Sequence, residues 1–340
     1  MCSQKVMIAG IGGASLGTEI CKALQLAGGY GIYGCDISPT AYGLYDPGFT
    51  ATYRVDRDHY VDSVIDACGT AEATWLIPGG EQPMVLLRQA LEQLRNAGIT
   101  LVANAGEVVD LCSDKESTFK QLKEIGVAAP RTAAVSTALD IDEIGLPCIV
   151  KPATGSGGSV AVFFAVTKEE AVMYAEFIRR SGSLPIAQEY LDIQEGEFTI
   201  GVLSLPNGRI VSSIALRRSL DAKLSVAYRE RGGIISSGYS QGYIGEFPDL
   251  CRQAEEIAKA VGSRGPINVQ GRVREGVLYP FEINPRFSAS TYLRALAGIN
   301  EVDIFIRCHN LEISPQKPTV RPGWYLRSLT EHYVPEDQLK

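Results

Sequence analysis

Histidine is scarce in this 340-residue chain and occurs only as His59, His309 and His332, far apart in the sequence. A zinc site built from several histidines is therefore not expected. None of the eight cysteines belongs to a CxxC pair, so we expect free thiols in a reducing cytoplasm. Four cysteines lie in apolar segments and are predicted to be small core residues: Cys21, Cys35, Cys148 and Cys308.

Long apolar runs and an excess of basic residues are also missing. No apolar run reaches the length that spans a bilayer. The first residues, MCSQKVMIAGIGG, lack the apolar stretch and cleavage site of a signal peptide. The formal net charge is -7, which disfavours a nucleic-acid binder or a basic membrane-surface protein. We therefore expect a cytoplasmic protein with neither nucleic acid nor membrane as a partner.

The chain is long enough for two or three domains. Its first hundred residues alternate apolar strand runs with an amphipathic helix at Leu16–Ala27 and another at 82–98. This alternation predicts a doubly wound α/β domain with a parallel sheet. We expect a long loop over Ser38–Tyr53. We also expect helical structure over Val108–Gly126, where Ser113 and Glu116 could form a capping box.

A glycine-rich turn, GIGGASLG, separates the first predicted strand from the first helix. Such a turn can bind a dinucleotide, and Asp36 stands where a ribose-binding acid would lie. However, Ser15 occupies the third glycine position. A tight structural turn is therefore the favoured interpretation, with a nicotinamide-dependent oxidoreductase as the alternative.

A second glycine-rich segment, VKPATGSGGSV, follows a strand that ends in Lys151. Glycine permits positive φ, so successive N–H groups can converge on an anion, and lysine adds a positive charge. No Gly-Lys-Ser/Thr precedes a helix, so this is not a Walker A loop. The pattern of strand, glycine loop and strand predicts a flap over a nucleotide, with a mobile hairpin tip as the alternative.

Polar residues share one face of two predicted strands, INVQGRV and GVLYPFEIN. Gln270, Glu282 and Asn284 could supply oxygen ligands to Mg²⁺ if they lie together. A two-residue loop would put Gln270 on the wrong face. We therefore predict a three-residue loop with Gly276 in the left-handed region, pairing Val273 with Val277. A solvated polar face is the alternative.

These features resemble those of the ATP-grasp superfamily, in particular the branch of carbamoyl-phosphate synthase large subunits and short single-unit relatives. The matching segments occur in the family's order between residues 113 and 300: SDKESTFKQLKEIGVAAPRT, CIVKPATGSGGSV, AQEYLDIQEGEFTIGVL, INVQGRV and FEINPRFSASTYLRALAGIN. The resemblance implies a pre-ATP-grasp α/β domain over 1–107. It also implies an ATP-grasp fold of two α+β subdomains, over 108–190 and 191–340.

The resemblance also implies a role for each matched residue. Lys115 and Lys151 would be the two ATP lysines, and Arg286 would steady the transferred phosphoryl group. Glu197 would bind the ribose, with Glu195 as the fallback because the preceding gap is one residue longer than in many relatives. The flap over the phosphates would comprise Thr154, Gly155, Ser156, Gly157, Gly158 and Ser159. The adenine hinge would comprise Glu189, Tyr190 and Leu191, and the metal ligands would be Gln270, Glu282 and Asn284.

The implied activity is an ATP-dependent carboxylate–amine ligase that works through an acyl phosphate and releases ADP and phosphate. ATP and one or two Mg²⁺ ions, replaceable by Mn²⁺, would be needed. Phosphorylation of bicarbonate or carbamate is one alternative, and a nucleotide-binding module without activity is another. Arg294 is predicted to contact a substrate carboxylate. Relatives often form homodimers. A cluster of basic residues could hold an anionic substrate or form a solvated edge: Arg217, Arg218, Lys223, Arg229 and Arg231.

Overall fold

The computed structural model of the chain describes residues 4–13, 16–155, 160–309 and 319–340. Five parallel strands form the first sheet: β1 Gln4–Ala9, β2 Tyr30–Asp36, β3 Ala51–Arg54, β4 Trp75–Pro78 and β5 Thr100–Leu101. Their order is β3-β2-β1-β4-β5. The helices of this region are α1 Leu16–Ala27, α2 Tyr60–Ala71, α3 Glu81–Gln89 and α4 Leu91–Asn96. The predicted doubly wound parallel sheet is confirmed.

Three local features of this region differ from the sequence-based expectations. The predicted loop over Ser38–Tyr53 contains a 3-10 helix, Tyr42–Leu44, and the start of β3. The helix expected over 82–98 is broken at Ala90, which lies between α3 and α4. Helix α2 was not predicted. Its buried face is made of small and β-branched side chains, Val64, Ala67, Cys68 and Ala71, which give a weak apolar pattern.

A four-stranded antiparallel sheet follows, with strands β6 Thr132–Ala134, β7 Cys148–Pro152, β8 Phe163–Ala165 and β9 Pro185–Glu189 in the order β6-β9-β7-β8. Its helices are α5 Gly106–Ser113, α6 Lys115–Glu124, α7 Ala138–Ile144 and α8 Lys168–Arg180. The prediction that Ser113 caps the second helix was wrong. Asp114 is the N-cap, and its carboxylate accepts the backbone N–H of Glu116 at 3.0 Å.

The last sheet has six strands: β10 Glu197–Ser204, β11 Ile210–Arg218, β14 Gly242–Ile244, β15 Pro266–Arg274, β16 Val277–Asn284 and β17 Gly323–Tyr325. It is antiparallel, in the order β16-β15-β10-β11-β14-β17. Strands β12 Val226–Glu230 and β13 Gly233–Ser236 form a separate pair. The helices are α9 Pro248–Ala260, α10 Thr291–Leu296 and α11 Glu301–Cys308, and two 3-10 turns span Lys223–Ser225 and Glu336–Gln338.

Shared apolar packing joins the first sheet to the last one. Helix α1 packs against α10 and α11, and Leu24 belongs to the same buried cluster as Phe287 and Phe305. The C-terminal segment reinforces this contact, because Arg327 donates to the Glu19 carboxylate at 2.9 Å. None of the helices within the described ranges is long and apolar enough to cross a bilayer.

Candidate active site

An open cleft lies between the four-stranded and six-stranded sheets. Strands β7 and β9 form one wall, and β10, β15 and β16 form the other. Among the residues predicted for the site, ten line this cleft: Lys115, Lys151, Glu189, Tyr190, Leu191, Glu197, Gln270, Glu282, Asn284 and Arg286. The fold therefore brings together residues that lie up to 171 positions apart in the sequence, Lys115 and Arg286 being the extremes.

The hairpin between β15 and β16 groups the predicted metal ligands on one face, but its turn differs from the predicted one. The three-residue loop was wrong, because Arg274 pairs with Val277 across a two-residue turn. Both turn residues have positive φ, 54° at Glu275 and 72° at Gly276, as in type I′ turns. The Glu195 carboxylate accepts the backbone N–H groups of both turn residues, which stabilises this tight turn.

A β-bulge then corrects the face on which the side chains lie. Gly271 pairs with Pro280 and Gln270 pairs with Glu282, so Phe281 is the extra residue. One extra residue reverses the alternation of side chains along the strand. Glu282 consequently lies directly opposite Gln270, whose Nε2 donates to Glu282 Oε2 at 2.8 Å. The predicted grouping of Gln270, Glu282 and Asn284 on one face holds, although the predicted turn does not.

Lys151 occupies the floor of the cleft and is 5% exposed. Its Nζ donates to Gln188 Oε1 at 2.8 Å and to the carbonyl oxygen of the bulged Phe281 at 2.9 Å. Burial lowers the pKa of Lys151 from 10.5 to about 7; nearby Lys115 lowers it further, and Glu282 opposes the shift. The ammonium is thus held in place but lacks a full counter-charge, as expected of a group that awaits an anion.

Arg286 and Lys115 add two further cations to the cleft, on the side where Gln270, Glu282 and Asn284 lie. The Arg286 guanidinium donates to the Phe287 carbonyl at 3.0 Å and to Asn284 Oδ1 at 3.3 Å. Its Nε is buried without a hydrogen-bond partner among the described residues. Burial lowers the pKa of Arg286, against the opposing effect of Glu282 and Glu81. Lys115 begins α6, and its side chain reaches the cleft beside Glu282 and Asn284.

Three comparisons with known proteins bear on this cleft. A family model described as "ATP-grasp in the biosynthetic pathway with Ter operon" matches residues 185–332. The carbamoyl phosphate synthase large chain of Thermomicrobium roseum is 30% identical over 223 residues, which is 62% of this chain and 20% of that protein. The corresponding protein of Neisseria meningitidis serogroup B is 24% identical over 241 residues, 68% of this chain and 21% of that protein.

Solved structures share the fold at low sequence identity. An L-amino acid ligase from Bacillus licheniformis matches with a TM-score of 0.64 and 16% identity, over 91% of this chain and 74% of that one. A biotin carboxylase from Campylobacter jejuni, in complex with β,γ-ATP, gives a TM-score of 0.69 and 16% identity, over 93% of this chain and 73% of that one. Residues 185–332 of this chain are thus similar to an ATP-grasp family. The chain spans about a fifth of the length of the carbamoyl phosphate synthase chains that it matches.

The predicted hinge lies where β9 leaves its sheet. Tyr190 Oη accepts the Ile234 N–H at 2.9 Å, and the Leu191 carbonyl accepts from Arg272 at 2.6 Å. The Glu189 carboxylate is held by Arg131 and Arg274 at 3.2 and 3.0 Å. These contacts hold the segment in place beside the cleft.

Glu197 and Glu195 have very different surroundings. Glu197 is 1% exposed and forms ion pairs with Arg272 at 3.0 Å and Arg218 at 3.5 Å. It lines the cleft, but two guanidinium groups already neutralise it. Glu195 is bound to the hairpin turn and does not line the cleft, so the structure gives the fallback prediction no support.

Arg218 is a site residue for which sequence reasoning assigned no separate role. Besides Glu197, its guanidinium contacts the carbonyl oxygens of Ser237 and Tyr239 at 2.8 and 3.1 Å, and so holds the serine-rich wall of the cleft. The sequence feature that could have identified Arg218 is the alternation of side chains along β11, which buries Arg218 and exposes Arg217. The basic residues predicted to cluster therefore do not gather around one site, since Arg231 forms an ion pair with Glu170 outside the cleft.

The structure contradicts the prediction that Arg294 contacts a substrate carboxylate. Arg294 is 1% exposed and does not line the cleft. Its guanidinium donates to Glu301 Oε2 at 3.1 Å and to Asn268 Oδ1 at 2.5 Å. Because Asn268 does line the cleft, Arg294 supports the wall from behind.

The two glycine-rich segments are described only in part. In the flap, Thr154 and Gly155 are described, and Gly155 has a φ of +70°. Ser156, Gly157, Gly158 and Ser159 lie outside the described residues. Strands β7 and β8, which flank the segment, pair in the antiparallel hairpin that the sequence predicted.

In the N-terminal turn, Ala14 and Ser15 lie outside the described residues. The Asp36 carboxylate accepts the backbone N–H groups of Ile11 and Ser38 at 2.8 and 3.0 Å. A Cβ on Gly17 would lie 2.0 Å from the Gly10 carbonyl oxygen, so this glycine permits close packing of helix on strand. These contacts favour the structural interpretation of the turn over a dinucleotide site.

Proposed function

We propose that this chain is an ATP-dependent carboxylate–amine ligase that forms an amide or peptide bond through an acyl phosphate. The observation that carries the proposal is the convergence of three cations with an acid and two amides on one cleft edge. Phosphoryl transfer depends mainly on positioning and on neutralising charge. Lys115, Lys151 and Arg286 can neutralise phosphate oxygens, and the hinge at Glu189–Leu191 offers backbone groups to adenine.

The donor set fits a hard divalent cation. Glu282 supplies a carboxylate, and Asn284 and Gln270 supply amide oxygens, the ligand type that Mg²⁺ and Mn²⁺ prefer. No group of three or more His, Cys, Asp and Glu side chains that could hold a metal ion occurs in the part of the chain that the structure describes, so phosphate oxygens and water would complete the coordination. When bound, Mg²⁺ would neutralise phosphate charge.

The residues of the chain then have defined tasks in the reaction. A substrate carboxylate oxygen attacks the γ-phosphorus of ATP, the bond to the β-phosphate oxygen breaks, and ADP leaves. Arg286 stabilises the charge on the transferred group, and Lys151 holds the phosphates from the floor of the cleft. An amine then attacks the acyl carbon, phosphate leaves, and an amide remains. The predicted flap, Thr154–Ser159, would exclude water that otherwise hydrolyses the acyl phosphate.

The carbamoyl phosphate synthase relatives favour a second candidate, phosphorylation of bicarbonate or carbamate. The two candidates differ in the acid that is phosphorylated, and the experiment below distinguishes them. We further propose a division into units at 1–107, 108–190 and 191–340, a cytoplasmic location and a homodimer.

The deciding experiment incubates the protein with Mg-ATP, hydroxylamine and a panel of carboxylic acids including bicarbonate. We expect ADP and a hydroxamate with one carboxylic acid. AMP as the product would mean adenylation and would overturn the acyl-phosphate mechanism. ADP formation with bicarbonate alone would support the second candidate, and the variant Glu282→Gln is the control for contaminating ATPase activity.

A further inference from the structure

A second carboxylate, Glu81, lies near Glu282 and comes from the N-terminal parallel-sheet region. It is the first residue of α3, directly after β4 and Gly79–Gly80. Half-buried, it lines a small polar crevice together with Lys115, Glu282 and Asn284. The preceding backbone is tightly placed, because a Cβ on Gly79 would lie 1.9 Å from the Gly10 carbonyl oxygen. The helix start that carries Glu81 is therefore fixed against β1.

The Glu81 carboxylate has no hydrogen-bond or ion-pair partner among the residues that the structure describes. Its charge is nevertheless felt at the site, since it opposes the lowering of the pKa of Arg286. An acid beside the γ-phosphate repels that phosphate unless a cation lies between them. Glu282 and Asn284 from β16 and Lys115 from α6 line the same crevice as Glu81. The arrangement thus leaves Glu81 free to bind a cation brought by a substrate.

The ligation reaction requires such a cation. An amine enters mainly as its ammonium form near neutral pH, and it attacks the acyl carbon only after it loses a proton. We propose that Glu81 binds the ammonium group of the amine substrate and accepts its proton. This inference rests on the proposed ligase function. The nitrogen lone pair then forms the C–N bond, the bond from carbon to the phosphate oxygen breaks, and the second amine proton leaves with phosphate.

The test compares two small nucleophiles that differ in charge. Ammonium must lose a proton before it attacks, whereas hydroxylamine is largely uncharged at neutral pH. We expect Glu81→Gln to lower ammonium-dependent amide formation at least about 100-fold, in line with general-base catalysis. Hydroxamate formation should stay within about twofold, and Glu81→Asp should restore part of the ammonium reaction. The ammonium-dependent rate of Glu81→Gln should rise with pH more steeply than that of the wild type.

Glu92→Gln, an exposed acid on α4, is the matched control and should change neither reaction. Equal loss of both reactions in Glu81→Gln, with weaker binding of Mn²⁺–ADP, would make Glu81 a metal ligand and overturn the proposal. No loss of either reaction, or a wild type that uses hydroxylamine but not ammonium, would also overturn it. A wild type that forms no hydroxamate with any carboxylic acid would instead refute the ligase function on which the proposal rests.

Discussion

The lowered pKa of Lys151 predicts that nucleotide affinity falls as the pH rises through 7. Lys151 is buried beside Lys115, and its pKa in the free protein is about 7. Phosphate binds the protonated form, so bound nucleotide returns the pKa towards its ordinary value. With a pKa near 7, only about a tenth of the free protein carries this proton at pH 8, so the apparent Kd should rise about tenfold between pH 6 and pH 8.

The assay is calorimetric titration with Mg-ADP in buffers of different ionisation enthalpy. Binding to the wild type at pH 8 should take up close to one proton at Lys151. The variant Lys151→Arg keeps its charge throughout this range, so its affinity should vary with pH only through the nucleotide. Lys115→Arg is the matched control and should retain the wild-type dependence. Parallel pH curves for the wild type and Lys151→Arg would refute this reasoning.

Three further predictions follow from the same contacts. Glu282→Gln should abolish the Mg²⁺ dependence of nucleotide affinity, measured by titration with and without EDTA, and persistence of that dependence would place the metal elsewhere. Arg294→Met leaves the buried Glu301 without its partner and should lower the free energy of unfolding by about 3–5 kcal/mol in denaturant titration. Arg252→Met, which removes an exposed ion pair with Asp249, should change that free energy little. Equal effects of the two substitutions would contradict this prediction. Gly276→Ala should lower the unfolding free energy by about 1 kcal/mol, because φ is +72° there.

The sequence predicted the fold where apolar runs and turn signals agree. The helix at Leu16–Ala27 has the predicted ends, and the hairpin at Pro206–Gly208 joins β10 and β11 as expected. Short elements with a weak hydrophobic pattern were not predicted, including α2, α7 and the strands β12, β13 and β14. Helices α2 and α7 and strand β14 contact other elements of the fold, which local periodicity does not reveal, whereas β12 and β13 pair mainly with each other.

The site shows the same limit at the level of single residues. Glu282 and Asn284 could be grouped from strand alternation, but Gln270 joined them only through a predicted loop that the structure replaces with a two-residue turn and a bulge. The turn type could not be predicted, because Glu195, which accepts both turn N–H groups, lies 80 positions from Glu275. Nor could the role of Arg272, whose partners Glu197 and Leu191 are on other elements. Glu81 was missed because it precedes the matching segments and only the fold brings it to the crevice.

The most direct test of the central claim follows an oxygen atom. The carboxylic acid that supports hydroxamate formation is labelled with ¹⁸O in its carboxyl group, and the reaction is run with Mg-ATP and the amine. An acyl phosphate requires that one labelled oxygen passes from the carboxylate to inorganic phosphate, and we expect it there. Label in AMP, or unlabelled phosphate alongside amide product, would contradict the mechanism that we assign to this cleft.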